Sequence, residues 1–420
     1  MNNRLSSGLK RIQGVYNQWG GGPSALFAYT HGSHDQCAGL LTAMLPFIRE
    51  DLGLSYLQAG FLLSAYSVTA GASQLPGGWL GDRVKKYIII ATGLFGIGAA
   101  ALAIGFSQSF TSLLVIYIIM GIFAGAYHPS AVSLISSYHE EEKRGKVIAV
   151  HMLGGSFGFA MGPILGAIIA GAFGWRYAYI LLCIPALLAV PVVLRKVRQW
   201  ENASSAEQNA NQPIENDGTD TTIPRRLSII EVLRPILAVT ILAIIMQLVV
   251  GSAVSFFPLY LVDKQSVSPA YASILVGIIR VGGVAGSLLG GWLSDRWGRK
   301  NSITLALAAT GPLLFFITQL PLNITLMIIF FVFGMFVTMR QSTVQPYLMS
   351  STPHYLRATV FGIYFGLGIE GQSLLQPGFG YLVDTFGVTE IFQLIAFAGI
   401  VLSALALFLG IKQGLLKRIA

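Results

Sequence analysis

Ionisable side chains are rare at depth in the apolar runs of this chain, and the candidates there are His31, His34 and Asp35 together, then His128, Arg280, Arg340 and Glu370. A charge at such depth costs about 2.5–3.5 kcal/mol, so it persists only by facing a cavity or a partner. On a helix His31 and Asp35 lie about 40° apart, so with His34 they share one face. Three chemistries suit that trio: a polar cluster that helps packing, a divalent-ion site, or reversible proton binding. No second ligand pair is visible, so the expected site holds no metal, and proton binding by Asp35, His31 and His34 is the reading adopted, with Glu370 as the other deep acid. The forked donors of Arg280 and Arg340 suit phosphate, phosphonate or carboxylate. His128, Gln247 and Gln341 complete the expected substrate contacts. The two arginines could instead neutralise Asp35 and Glu370 as ion pairs. His151 is expected at the membrane interface, outside the functional set.

The elements that must carry these residues follow from composition. Side chains are 54% hydrophobic and 11% charged, and mean hydropathy is +0.67, too few charges to coat a water-soluble globule. Runs of roughly 20 apolar residues, enough to cross about 30 Å of hydrocarbon, occur near 24–48, 56–80, 87–107, 111–137, 147–172, 176–194, 236–261, 270–293, 302–320, 323–349, 358–383 and 390–411. Without water their backbone groups must bond internally, so helices are expected. The fold class is therefore all-α and integral to the membrane, with twelve spans in two six-helix pseudo-symmetric bundles.

The pseudo-symmetry is written in a repeat. Gly77-Gly78-Trp79-Leu80-Gly81-Asp82-Arg83 returns as Gly290-Gly291-Trp292-Leu293-Ser294-Asp295-Arg296, an offset of 213 that also pairs Gly121 with Gly334 and Gly174 with Gly387. Two like-oriented halves need an even number of spans each. Residues 1–200 and 225–420 are the expected bundles. Between them 201–224 is polar and poor in large apolar side chains, the composition of a flexible linker. Gating is assigned to the two basic turns, through Asp82 and Arg83 and through Asp295, Arg296 and Arg299. Gly158, Gly162 and Pro163 join them, because small residues four apart let helices approach closely and a proline kinks.

These residues resemble the major facilitator superfamily over essentially the whole chain, through both turns and through Gly158-x-x-x-Gly162-Pro163-x-x-Gly166. The resemblance implies a central cavity lined by spans one, four, seven and ten. Lys85 stands where the first turn of the family usually has Gly, and Tyr117 where its drug antiporters carry an Arg in span four. Within the superfamily His31-x-x-His34-Asp35 and Tyr127-His128-Pro129 are similar to the patterns of the fosmidomycin-resistance branch. His34 replaces that branch's usual Asn, and Ser130 its Glu.

The formal charge of +9 is a topology signal rather than a nucleic-acid footprint. Apart from Arg280 and Arg340, only Arg49, Arg176 and Lys264 fall outside the segments expected on the cytoplasmic face. Both termini are then cytoplasmic, and the expected location is a bacterial inner membrane. No ATP-binding glycine loop is present, so the expected function is alternating-access secondary transport: proton-coupled efflux of a small anionic or amphipathic compound or drug, by a monomer, with no cofactor and no enzymatic step. Import or lipid translocation on the same fold, a transporter-like sensor and an intramembrane enzyme are the alternatives.

Overall fold

Helix starts follow local chemistry. Ser109, Ser268 and Asn323 each accept, through the side chain, the backbone N–H three residues on, satisfying donors that a helix leaves orphaned at its N-terminus. The computed structural model describes residues 21–81, 83–138, 141–200, 237–353, 360, 363–364 and 366–412. Their helices are α1 (Gly21–Leu52), α2 (Tyr56–Gly81), α3 (Lys86–Ile104), α4 (Phe110–Ser137), α5 (Glu141–Phe173), α6 (Trp175–Trp200), α7 (Leu237–Gln265), α8 (Pro269–Trp297), α9 (Arg299–Gln319), α10 (Ile324–Ser351), α11 (Gly371–Phe386) and α12 (Val388–Lys412). No strand occurs among the described residues.

Nine of these helices are long and apolar enough to cross a membrane; α1, α2 and α11 are the others. The side chains of interest dilute α1: its 32 residues include His31, His34, Asp35 and Gln36. Span eleven was expected over 358–383. There a π-helical turn, Gly366–Glu370, precedes α11, so Glu370 sits at a break in helical register. The expected linker, 201–224, and the side chain of Glu370 lie outside the described residues.

The chain divides into two compact units, residues 1–41 with 65–219 and residues 42–64 with 220–420. In the first, α3 packs on α4 and α6; in the second, α8 packs on α10, and α9 on α10 and α12. The sequence repeat returns as repeated geometry. A Cβ on Gly121 would strike the Tyr66 carbonyl, and one on Gly334 would strike the carbonyl of Ile279, which is Tyr66 shifted by 213. Gly174 and Gly387 both adopt φ of 96°, and Gly53 and Ser266 adopt 60° and 53°. The turns diverge where glycine is replaced: Gly298 has φ of 88°, whereas Lys85 holds −54°.

One glycine seam positions the site directly. Along α5, side chains at Gly154, Gly158 and Gly162 would meet the backbone of Ala28, Gly32 and Gln36 on α1, and one at Gly155 would meet the His31 ring. The stripe in α5 thus seats α1 and its polar face together. Gly158→Val is expected to force the two backbones apart, destabilising the protein by roughly 1–3 kcal/mol and unseating His31. Thermal unfolding of the purified protein checks this; an unchanged melting temperature would mean that the seam has slack.

Candidate functional site

The α1 trio gains members from α4 and α5 on folding. Asp35 lies 3.2 Å from His31 Nε2 through Oδ2, one helical turn away, and 2.8 Å from His34 Nδ1 through Oδ1. His128 of α4 brings Nε2 to 3.8 Å from Oδ1. Tyr127, its neighbour, stacks on the His34 ring at 4.6 Å and shares a 2.8 Å hydrogen bond with Thr30. His151 of α5 is fully buried and stacks on His31 at 4.1 Å. The sequence reading left it outside the functional set because it stands near the start of α5; the glycine seam draws that end of α5 against α1 and packs the ring into the cluster.

Partners decide the proton positions. The carbonyl of His151 can only accept, so His31 Nδ1, 2.8 Å away, must donate to it. His151 Nδ1 donates likewise to the Phe27 carbonyl at 3.0 Å. His31 Nε2 therefore faces Asp35 with one proton to share: either imidazolium beside carboxylate, or neutral imidazole beside carboxylic acid. His34 needs only its neutral Nδ1–H form to bond the other oxygen. A cavity of about 690 Å³ opens onto this cluster, lined by His31, Asp35, His128, Gln74, Met152 and Phe159 among others. Within the cluster His128 and Asp35 are the most exposed, with side chains 39% and 17% exposed, against 4% for His31 and none for His34.

In the second unit Arg340 on α10 is wholly buried. Nη1 donates to the Ala243 carbonyl at 3.0 Å, and Nη2 to the side-chain oxygen of Gln247. Gln341 reaches that same oxygen at 3.4 Å. A line of amides extends the group: Gln247 donates to Gln372 at 2.5 Å, and Gln372 and Gln376 donate to Ser255 at 3.5 and 3.1 Å. Fold thus joins Arg340, Gln247 and Gln341 by hydrogen bonds and adds Ser255, Gln372 and Gln376, neutral residues that carry no charge signal in a sequence. Arg280 is half-buried on α8. Among the described residues no carboxylate pairs with Arg340.

The basic turns behave unequally. Asp82 lies outside the described residues. Arg83 donates back to the Trp79 carbonyl at 3.2 Å and covers the Trp79 ring at 4.0 Å; Arg296 covers Trp292 at 5.6 Å. Asp295 forms no ion pair among the described residues. Arg299 does link two helices, donating to the Pro346 carbonyl on α10 at 3.1 Å. Gly158, Gly162 and Pro163 are buried in the seam. A cluster that the sequence reading missed lies within the second unit: Arg49 donates to both oxygens of Asp263 at 3.1 Å, Tyr56 donates to Asp263 at 2.7 Å, and Asp384 accepts from the backbone N–H of Tyr56 and Leu57. Asp384 so caps the start of α2, a role set by a residue 328 positions away.

Known proteins agree with this architecture. The family model described as Major Facilitator Superfamily matches residues 36–369. The fosmidomycin resistance protein of Escherichia coli (strain K12) is 23% identical over 387 residues, 90% of each chain. The hexuronate transporter of Bacillus subtilis (strain 168) is 26% identical over 265 residues, 62% of this chain and 61% of that one. Among solved structures, the peptide transporter POT in complex with sulfate superposes with a TM-score of 0.73 at 14% identity, over 93% of this chain and 94% of that one.

Proposed function

This chain belongs to the major facilitator superfamily and is a multi-pass secondary transporter rather than an enzyme; from that premise we propose that it exports a small organic anion from a bacterial cell in exchange for protons. The observation that carries the reading is the 3.2 Å approach of His31 Nε2 to Asp35 Oδ2 beside a 690 Å³ cavity, with His31 Nδ1 already committed to the His151 carbonyl, an arrangement with room for one shared proton. A site that gains and loses one proton as access alternates is what coupling requires. Anion selectivity is supported by Arg340, whose described bonds go to neutral groups, and by similarity to a hexuronate transporter, since a hexuronate carries a carboxylate. Similarity to a fosmidomycin resistance protein supports export.

In this reading residues 1–200 and 225–420 are the two bundles, joined by 201–224, with both termini cytoplasmic in the inner membrane and one chain as the working unit. Arg280, His128 and Gln341 would assist Arg340 and Gln247 with the substrate, and the basic turns would bias which face is closed.

The test is counterflow in liposomes with a panel of carboxylates, phosphates, phosphonates and organic cations, with and without an imposed proton gradient. Exchange confined to anions and accelerated by the gradient is expected. Exchange of cations or neutral compounds alone would return the arginines to structural duty. A gradient that drives accumulation only inward, under every orientation, would make the protein an importer.

A further inference from the structure

We propose that His31, Asp35 and His128 together form a binding site for one divalent transition-metal ion of the zinc type. Two imidazole nitrogens and one carboxylate oxygen, one from each residue, lie within 4.8 Å of one another. Zinc–nitrogen and zinc–oxygen bonds of about 2.0–2.2 Å in tetrahedral array put neighbouring donors roughly 3.3–3.5 Å apart. His31 Nε2 and Asp35 Oδ2, at 3.2 Å, already have that spacing. His128 Nε2 stands farther off, 3.8 Å from the carboxylate, and its side chain is the most exposed of the three, so a small rotation brings it in.

The surroundings are those of a ligand set. A metal-bound histidine typically donates its other N–H to a backbone carbonyl or carboxylate, which fixes the tautomer and aims the free nitrogen. His31 does so through Nδ1 to the His151 carbonyl at 2.8 Å. Asp35 is steadied in the same way, with Oδ1 accepting from His34 Nδ1. Three protein donors leave a fourth position open to the cavity, which also supplies the entry path. Two nitrogen donors in three select a borderline ion over magnesium or calcium, which take oxygen. The residue order offers a metal only the α1 trio, with no second ligand pair in view; the fold instead commits His34 Nδ1 to Asp35 and brings His128 of α4 beside the pair. All three ligands belong to one compact unit. Donor geometry alone carries the site, independent of the direction and drive of transport.

The experiment is a Co²⁺ titration of the metal-free full chain, purified in detergent through a tag without histidines, followed by visible absorption and by Zn²⁺ displacement. One equivalent of cobalt with the intense bands of four- or five-coordinate geometry is expected, displaced by zinc. His128→Gln and His31→Gln should each weaken cobalt binding at least tenfold, and His34→Phe, which loses the bond to Asp35, about tenfold or more. His139→Ala with His354→Ala should bind as the parent does. Zinc should raise the melting temperature of the parent and not of His128→Gln, a readout that also shows each variant to be folded. Faint six-coordinate bands in the parent, or parental affinity in both His128→Gln and His31→Gln, would overturn the site. Absence of gradient-driven transport in the parent itself, with cobalt bound as expected, would instead count against the proton reading and leave the metal site standing.

Discussion

Asp35→Asn should retain exchange of substrate for substrate and lose accumulation driven by a proton gradient, by tenfold or more in the ratio of the two. The substitution keeps shape. The asparagine can present its carbonyl oxygen to His34 Nδ1, as Oδ1 of Asp35 now accepts at 2.8 Å, and its amide N–H to His31 Nε2, as Oδ2 now stands at 3.2 Å. Every contact of the cluster survives, but the shared proton is replaced by one that cannot leave. The His31 ring, held through Nδ1 by the His151 carbonyl, then faces an amide N–H through Nε2 in place of a carboxylate. Because folding and the cavity are preserved, counterflow isolates the carrier's movement from its energising step. The measurement is counterflow beside gradient-driven uptake in the same liposomes. If Asp35→Asn accumulates substrate as the parent does, the coupling proton sits elsewhere, and Glu370 at the π-helical turn before α11 becomes the first residue to replace.

Arg340→Gln is expected to weaken organic-anion affinity by roughly ten- to hundredfold, because hydrogen bonds to a charged group are worth about 1.5–3 kcal/mol. The same change removes one donor from the Ala243 carbonyl, which α7 also bonds internally, and one from the Gln247 side-chain oxygen, which Gln341 still reaches at 3.4 Å. It should therefore also lower the melting temperature, modestly, by about 0.5–1.5 kcal/mol for each bond lost. Arg340→Lys keeps the charge and loses the fork, so it separates the two effects: partial anion affinity with reduced stability is expected. Arg299→Gln, which removes only an exposed bond to the Pro346 carbonyl, is the reference and should leave anion affinity near the parental value. Unaltered anion affinity in Arg340→Gln, beside a lower melting temperature, would make Arg340 a strut between α7 and α10 and nothing more.

Much of the architecture was legible in residue order because it follows from local rules. Long apolar runs must be helical in lipid, and twelve helices occur among the described residues. The offset of 213 marks equivalent backbone, down to the matched φ values of Gly174 and Gly387. The shared face of His31 and Asp35 is a matter of helical periodicity, and one turn does place them 3.2 Å apart. The seam could be read as small residues four apart, although its partner on α1 could not.

What only the tertiary structure decided are contacts between residues far apart in the chain. His128 approaches Asp35, His151 stacks on His31, Gln372 takes the bond from Gln247, and Asp384 caps α2 across 328 positions. Periodicity says which face of a helix a residue occupies, and nothing about which other helix that face will meet. That choice is made by how closely backbones can approach, and here glycine makes it: with no side chain at 154, 155, 158 and 162, α5 closes onto α1 and carries the His151 ring and carbonyl into the cluster. Chain order thus determined which groups could exchange protons, while packing determined which nitrogen of His31 is free to do so.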